Sequence, residues 1–153
     1  MFSFYKILIS LMTLICMEGV TWFTHKYVMH GFLWYLHKDH HQPKKGVFFE
    51  KNDAFFIIFA IPSILLMFFG MKQDFNFLFY IGVGILMYGI CYFLVHDVII
   101  HQRFKWFKKT DWKYLQALRK GHKMHHKSLE KEGGESFGML LVPWKYFKEK
   151  YRL

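Results

Sequence analysis

Cysteine is scarce in this chain: only Cys16 and Cys91 occur, both inside apolar stretches. That argues against a disulfide framework. There is no CxxC pair and no set of four cysteines, which excludes an iron–sulfur cluster held by this chain, so any electrons it uses come from another protein. Acidic residues are few, 11 against 21 Lys and Arg, which leaves a net charge of +10. No ExxH pair occurs, although soluble di-iron bundles are built on that motif. No low-complexity region is present, and no linker is long enough to separate domains, so residues 1–153 read as one domain. The apolar run after Lys6 is followed by no small-x-small cleavage site, so it reads as a retained anchor helix rather than a cleaved signal.

What the chain has in abundance is apolar and aromatic. Hydrophobic residues make up 54% and aromatics 22%, with 19 Phe. A chain both this apolar and this basic is expected to be an integral membrane protein with one cationic face. A nucleic-acid binder would leave the apolar runs unexplained. Three runs approach the roughly 20 residues needed to cross a bilayer. They cover residues 4–23 (with Lys6 and Glu18 inside), 54–70 (with Pro62) and 75–95 (with Gly82, Gly84 and Gly89). Small residues of that kind let helices approach closely in lipid. Only residues 71–74 separate the second run from the third, so those two helices are antiparallel. Residues 25–53 and 96–153 then emerge on the same side.

All but Lys6 and Lys72 of the Lys and Arg residues lie in those two segments. The positive-inside rule puts that side in the cytoplasm. The expected fold is an all-α integral membrane protein, with about three transmembrane helices and a cytoplasmic, histidine-rich helical cap. The alternation Lys105-Trp106-Phe107-Lys108-Lys109 suits a segment at the headgroup level, as does a terminal amphipathic piece over residues 144–151. Gly133-Gly134 marks a loop.

The ten histidines fall in two windows on that side. The first holds His25, His30, His37, His40 and His41; the second holds His96, His101, His122, His125 and His126. Each window reads HxxxxH and then HxxHH, with gaps of 6 and 20 residues between the motifs. Any one of these histidines alone would more often be a packed or surface residue. The repeated spacing beside two spans makes them a metal-binding set, and ten imidazoles suffice for two ions. On a helix, HxxHH places its three imidazoles within one turn of each other, where all three can reach toward one cavity. HxxxxH is different, because residues five apart lie about 140° apart on an ideal helix. Either the helix is distorted there or each histidine serves a different metal; different metals, or a helix end between the two histidines, is the expectation here. Imidazole suits Zn, Fe, Cu and Ni alike, so spacing does not name the metal.

Carboxylates sit nearby. Glu18 lies seven residues before His25, on the same helical face and inside a span, where an acid is a functional candidate by default. It is a candidate partner holding His25 in one tautomer. Asp39 and Asp97 adjoin ligand candidates. Asp53 follows Asn52 and opens the second apolar run, where an N-terminal helix cap is role enough for it.

The strings HKYVMHG (25–31), LHKDHH (36–41), ND (52–53), HDVIIHQRF (96–104), HKMHHK (122–127) and EGGESFG (132–138) resemble the bacterial carotene hydroxylases. These form a branch of the fatty-acid hydroxylase/sterol desaturase superfamily, and the resemblance runs over residues 17–141. It implies a membrane non-haem di-iron monooxygenase that adds a hydroxyl at C3 of a β-ionone ring. O2 would be the co-substrate, and ferredoxin or a similar protein the electron donor. It also implies that all ten histidines are ligands of two iron ions.

The carotenoid substrate would come from the lipid bilayer of a bacterial inner membrane. Phe23, Met29, Leu33 and Leu94 are candidate pocket walls near the histidine ends of the spans. The basic face suits an acidic electron donor, and no nucleic-acid partner is expected. The alternatives are another sterol or acyl-lipid hydroxylase or desaturase of the superfamily, and a membrane metal carrier.

Overall fold

The computed structural model describes residues 4–44, 46–104, 106–107 and 109–148. Lys105 and Lys108 of the basic–aromatic stretch, and residues 149–151 of the terminal piece, lie outside them. The described residues are helical and contain no strand. Helix α1 (Phe4–Phe23) runs on as a π-helical stretch (Thr24–Phe32), kinks at Gly31, and is followed by α2 (Trp34–His41). A 3-10 turn (Lys51–Asp53) leads into α3 (Ala54–Lys72). Helix α4 (Phe77–Tyr92) is likewise extended by a π-helical stretch (Phe93–Ile100). Helix α5 (Lys113–His125) and a 3-10 turn (Trp144–Phe147) complete the order.

Three helical stretches are long and apolar enough to cross a membrane: Phe4–Phe32, Lys51–Lys72 and Phe77–Ile100. Their outward faces are apolar. Of the 19 residues of α3 only Phe55, Ser63 and Gly70 are buried. So large an apolar surface is stable only in lipid, where a helix satisfies its own backbone polar groups. The chain is an all-α integral membrane protein.

Helix α4 packs against both α1 and α3. Gly82 and Gly84 explain how. Residues two apart on a helix point about 200° apart, so the pair opens two opposite faces. A Cβ on Gly82 would lie 2.7 Å from Ser63 O and 2.6 Å from Met67 Cγ, both on α3. One on Gly84 would lie 2.6 Å from Ser10 O of α1. Serines seal both seams: Ser63 Oγ donates to Gly82 O (2.8 Å) and Ser10 Oγ to Tyr80 O (3.0 Å). The expected turn at 71–74 sits two residues later. Helix α3 continues to Lys72, and Asn76 Oδ1 caps α4 by accepting from Leu78 N at 3.0 Å.

The short turn makes α3 and α4 antiparallel, so the histidine ends of all three spans lie at one end of the bundle. There α2, α5 and the loop after α5 form a helical cap. Amphipathic α5 buries Ala117, Leu118 and Gly121 along with its histidines. It is tied to the third span by Arg119 Nε donating to Ile99 O (2.8 Å). The terminal 3-10 turn packs on α5 with Tyr146 fully buried. Gly133 adopts φ +82°, the left-handed turn the loop requires there.

Candidate metal centre

The ten imidazoles gather under the cap in two groups. The first comprises His25, His30, His37, His41 and His125, and the second His40, His101, His122 and His126. His96 stands beside the second group, its Nε2 3.1 Å from His40 Nε2. The His41 and His126 rings stack at 4.5 Å and join the two groups.

The assignment inverts the expectation from spacing. The HxxxxH pairs were expected to diverge, yet His25 and His30 share the first group, and the His96 and His101 rings lie 4.4 Å apart. The cause is the π-helical backbone at both places. His101 N donates to His96 O (2.8 Å) and Leu33 N to Val28 O (3.0 Å). A turn closed by an i→i+5 bond stacks residues five apart on one side.

The HxxHH triplets were expected to converge, yet they split. On α2, His37 and His41 face the first group while His40 faces the second; on α5, His122 and His126 face the second while His125 faces the first. The i+3 and i+4 residues flank residue i on opposite sides, about 100° apart. Each histidine window therefore supplies one group and sends a single imidazole across to the other.

Each group is built Nε2 to Nε2. In the first, His25–His37 (3.1 Å), His37–His41 (3.2 Å), His41–His125 (3.1 Å) and His30–His125 (3.1 Å) form a continuous set. In the second, His122 Nε2 is 2.8 Å from both His101 and His126 Nε2. In the first group the opposite ring nitrogens are held by acceptors. His25 Nδ1 bonds Phe137 O (2.9 Å), His30 bonds Lys131 O (2.8 Å), His41 bonds Ser128 O (2.8 Å) and His125 bonds Glu135 O (3.0 Å). A carbonyl only accepts, so each of these Nδ1 atoms carries the proton and its Nε2 presents a lone pair. His37 Nδ1 bonds Asn52 Oδ1 (2.6 Å) and His40 Nδ1 bonds Glu50 Oε2 (2.7 Å).

Lone pairs facing one another at these distances repel unless a cation lies between them. Donors held about 2.0–2.1 Å from one metal at right angles lie about 2.9 Å apart. The observed contacts fall around that value, so the donor set fits one metal ion per group. Burial, and then crowding by neighbouring imidazoles, keeps these rings neutral as ligation requires. His37 and His125 are pushed down to about 2, His126 to about 3 and His41 to about 4, while His40, His101 and His122 are also lowered.

The nearby acids fare differently from expectation. Asp97 Oδ2 lies 3.4 Å from His96 Nδ1, as its position beside a ligand candidate suggested. Asp39 reaches no imidazole; its Oδ2 accepts from Lys51 N (2.6 Å) and pins the turn before α3. Glu18 does not touch His25. Its carboxylate accepts from Tyr88 Oη and from the amides of Met139, Leu140 and Leu141. The Asp53 side chain does not cap α3: Oδ2 accepts from Glu50 N (3.0 Å) and Oδ1 pairs with Arg103 Nη1 (2.8 Å), which also meets Asp97 (3.2 Å), while Arg103 Nη2 meets Glu50 (3.0 Å). Asn52 stood in the ND string without a role and Glu50 was not singled out, because only the fold brings the 3-10 turn before α3 against α2.

The four suggested pocket residues line neither crevice described in the structure. Phe23 and Leu94 point outward, Met29 is packed inside, and Leu33 sits at the kink between the π stretch and α2. One crevice, about 510 Å³, runs instead between α1 and the loop after α5, lined among others by Ile15, Gly19, Trp22, Phe137 and Leu141. At one end the Phe137 ring packs 5.1 Å from that of His125 and 5.3 Å from that of His30.

Residues 10–148 match the family described as fatty acid hydroxylase. The chain is 44% identical over 135 residues to the beta-carotene hydroxylase of Pseudescherichia vulneris, covering 87% of this chain and 74% of that one. It is 43% identical over 136 residues to the beta-carotene hydroxylase of Pantoea ananas, covering 89% and 77%. It is 35% identical over 130 residues to the chloroplastic beta-carotene 3-hydroxylase 2 of Arabidopsis thaliana, covering 83% of this chain and 42% of that longer one. No solved structure matches.

Proposed function

The chain belongs to the fatty acid hydroxylase family, and on that premise we propose that it is a membrane di-iron monooxygenase acting on carotenoids. It hydroxylates C3 of β-ionone rings, taking β-carotene to zeaxanthin through cryptoxanthin. The observation that carries this reading is the 44% identity to a beta-carotene hydroxylase over most of the chain. The two imidazole groups support it.

His25, His30, His37, His41 and His125 would hold one iron; His40, His101, His122 and His126, with His96 beside them, would hold the other. When bound, iron would supply the activation of O2, and the overall change would convert C–H, O2, two electrons and two protons to C–OH and water. The protein fixes the geometry around them. Acceptors on Nδ1 aim the Nε2 lone pairs, and burial under the cap keeps water from competing. The apolar substrate is dissolved in the bilayer. Its end ring enters the crevice between α1 and the loop, passes Trp22 and meets Phe137 beside the first group. A crevice of this size suits such a ring.

With Lys6 and Lys72 alone at the far end, the histidine end faces the cytoplasm of the bacterial inner membrane. Its positive charge steers an acidic electron donor of the ferredoxin type. The family description favours one second reading, hydroxylation of an acyl lipid.

Expression in cells that make β-carotene tests the proposal. Zeaxanthin should accumulate, with its hydroxyl oxygens drawn from isotopically labelled O2. Unchanged β-carotene, with protein and iron both present, contradicts it. An altered lipid profile in the same cells supports the second reading instead.

A further inference from the structure

Glu18 is a buried acid in the first span, at the wall of the crevice between α1 and the loop, and the reaction above gives it no role. It lies 7% exposed, among apolar residues of α1 and α4. An unpartnered carboxylate there would be costly. Glu18 is instead fully engaged. Oε1 accepts from Met139 N (2.9 Å), Leu140 N (2.9 Å) and Leu141 N (2.8 Å). Oε2 accepts from Tyr88 Oη (2.7 Å) and Leu140 N (3.0 Å). Three successive amides thus converge on one carboxylate. Gly138 makes room for it, since a Cβ there would sit 2.9 Å from Glu18 Oε1 and 2.8 Å from Leu141 O.

The clamped segment is the one that aims the first histidine group. Phe137 O holds His25 Nδ1 and Glu135 O holds His125 Nδ1, while the Phe137 ring packs against His25, His30 and His125. On the second-group side, Glu50 behind His40 Nδ1 and Asp97 beside His96 Nδ1 belong to other segments.

We propose that Glu18 is a positioning residue for the first metal site alone, acting on His25 and His125 through the loop it clamps. This rests on the metal reading above. It differs from a direct bond between Glu18 and His25, and from a role for Glu18 in carrying protons. As an acceptor, Glu18 is replaceable by glutamine, whose carbonyl oxygen can take the three amides while its NH2 faces the Tyr88 oxygen. As a proton carrier it is not.

The test is titration of the purified metal-free chain in detergent with Fe(II). Hydrogen exchange at the amides of Met139, Leu140 and Leu141 is read on the same samples. Wild type should bind two equivalents. Glu18→Ala should weaken one of the two by about 10–100-fold, leave the other unchanged, and speed exchange at the three amides. Glu18→Gln should restore most of both. Gly138→Ala pushes the loop off the carboxylate without altering it, and should reproduce the Glu18→Ala result even if that variant fails to fold.

Variants that bind both equivalents like wild type overturn the inference alone. So does equal weakening of the two sites. Glu18→Gln that binds normally yet turns over as poorly as Glu18→Ala points to proton transfer and overturns it too. A wild-type chain that binds no iron overturns the metal reading and this inference with it.

Discussion

The two histidine groups look like copies but are held differently. All five members of the first are buried, and the acceptors on their outer nitrogens are four carbonyls and one amide oxygen. The second is partly open at His101 and His126, and it leans on carboxylates: Glu50 behind His40 and Asp97 beside His96, gathered by Arg103. A carboxylate partner raises imidazole basicity more than a neutral carbonyl does. One fold thus presents an enclosed site with neutral backing beside a more open site with anionic backing. If each group holds an ion, as proposed, this contrast would make the two ions inequivalent, with the open site the better placed to admit a small molecule.

The crossing histidines offer the strongest way to break this contrast. His40→Ala and His125→Ala each strip a group of the imidazole lent by the other window. Both should reduce carotenoid hydroxylation to background while the chain still inserts in the membrane, as product analysis and membrane fractionation would show. Normal turnover in either would remove that residue from the ligand set.

Arg103 comes next. Arg103→Leu leaves Glu50, Asp53 and Asp97 without their shared cation, at a cost of about 2–3 kcal/mol given that the site is only partly exposed. A lower melting temperature in detergent, with iron lost first from the second group, is the expected result. An unchanged melting curve would mean that the acids are solvated.

Smaller and more selective effects belong to the outer partners. Asn52→Ala should weaken the first site, and Glu50→Gln the second, each by about 10–100-fold in metal affinity. If either variant weakened both sites alike, the contrast between neutral and anionic backing would fall.

Acid distinguishes the groups least. The buried rings titrate near 2 to 4 in the folded chain (His37, His125, His126 and His41), against about 6.5 when unfolded. Below about pH 6.5 the unfolded chain takes up protons that the folded one refuses. The stability of the metal-free protein should therefore be full above that pH and fall as pH drops toward the folded values. Chemical denaturation at pH 7.5 and pH 5 would show it; equal midpoints would contradict it.

Hydropathy alone marked three apolar runs, and the structure has three long apolar helical stretches there, because a bilayer demands long apolar runs; the first continues past residue 23 to Phe32 and the third past 95 to Ile100. The four-residue gap before α4 brought both histidine windows to one end. What the sequence hid was the sharing of ligands. Residues five apart diverge on a regular helix, whereas His25 and His30 lie on a π turn that brings them together. That spacing, repeated at His96 and His101, was itself the available sign of one. The contacts of Asn52 and Glu50 were illegible for another reason, since they exist only after the 3-10 turn before α3 packs against α2. Glu18 was marked out as a costly acid in a span, but its partners lie 70 and 121 to 123 residues away, and no local pattern points to them.

The iron count of the crossing variants tests the central claim most directly. Purified wild-type chain should saturate with two iron ions, and His40→Ala and His125→Ala should each retain one at full affinity, from opposite groups. A wild-type chain that saturates at one, or crossing variants that hold two as tightly as wild type, would contradict the arrangement of two sites that lend each other a ligand.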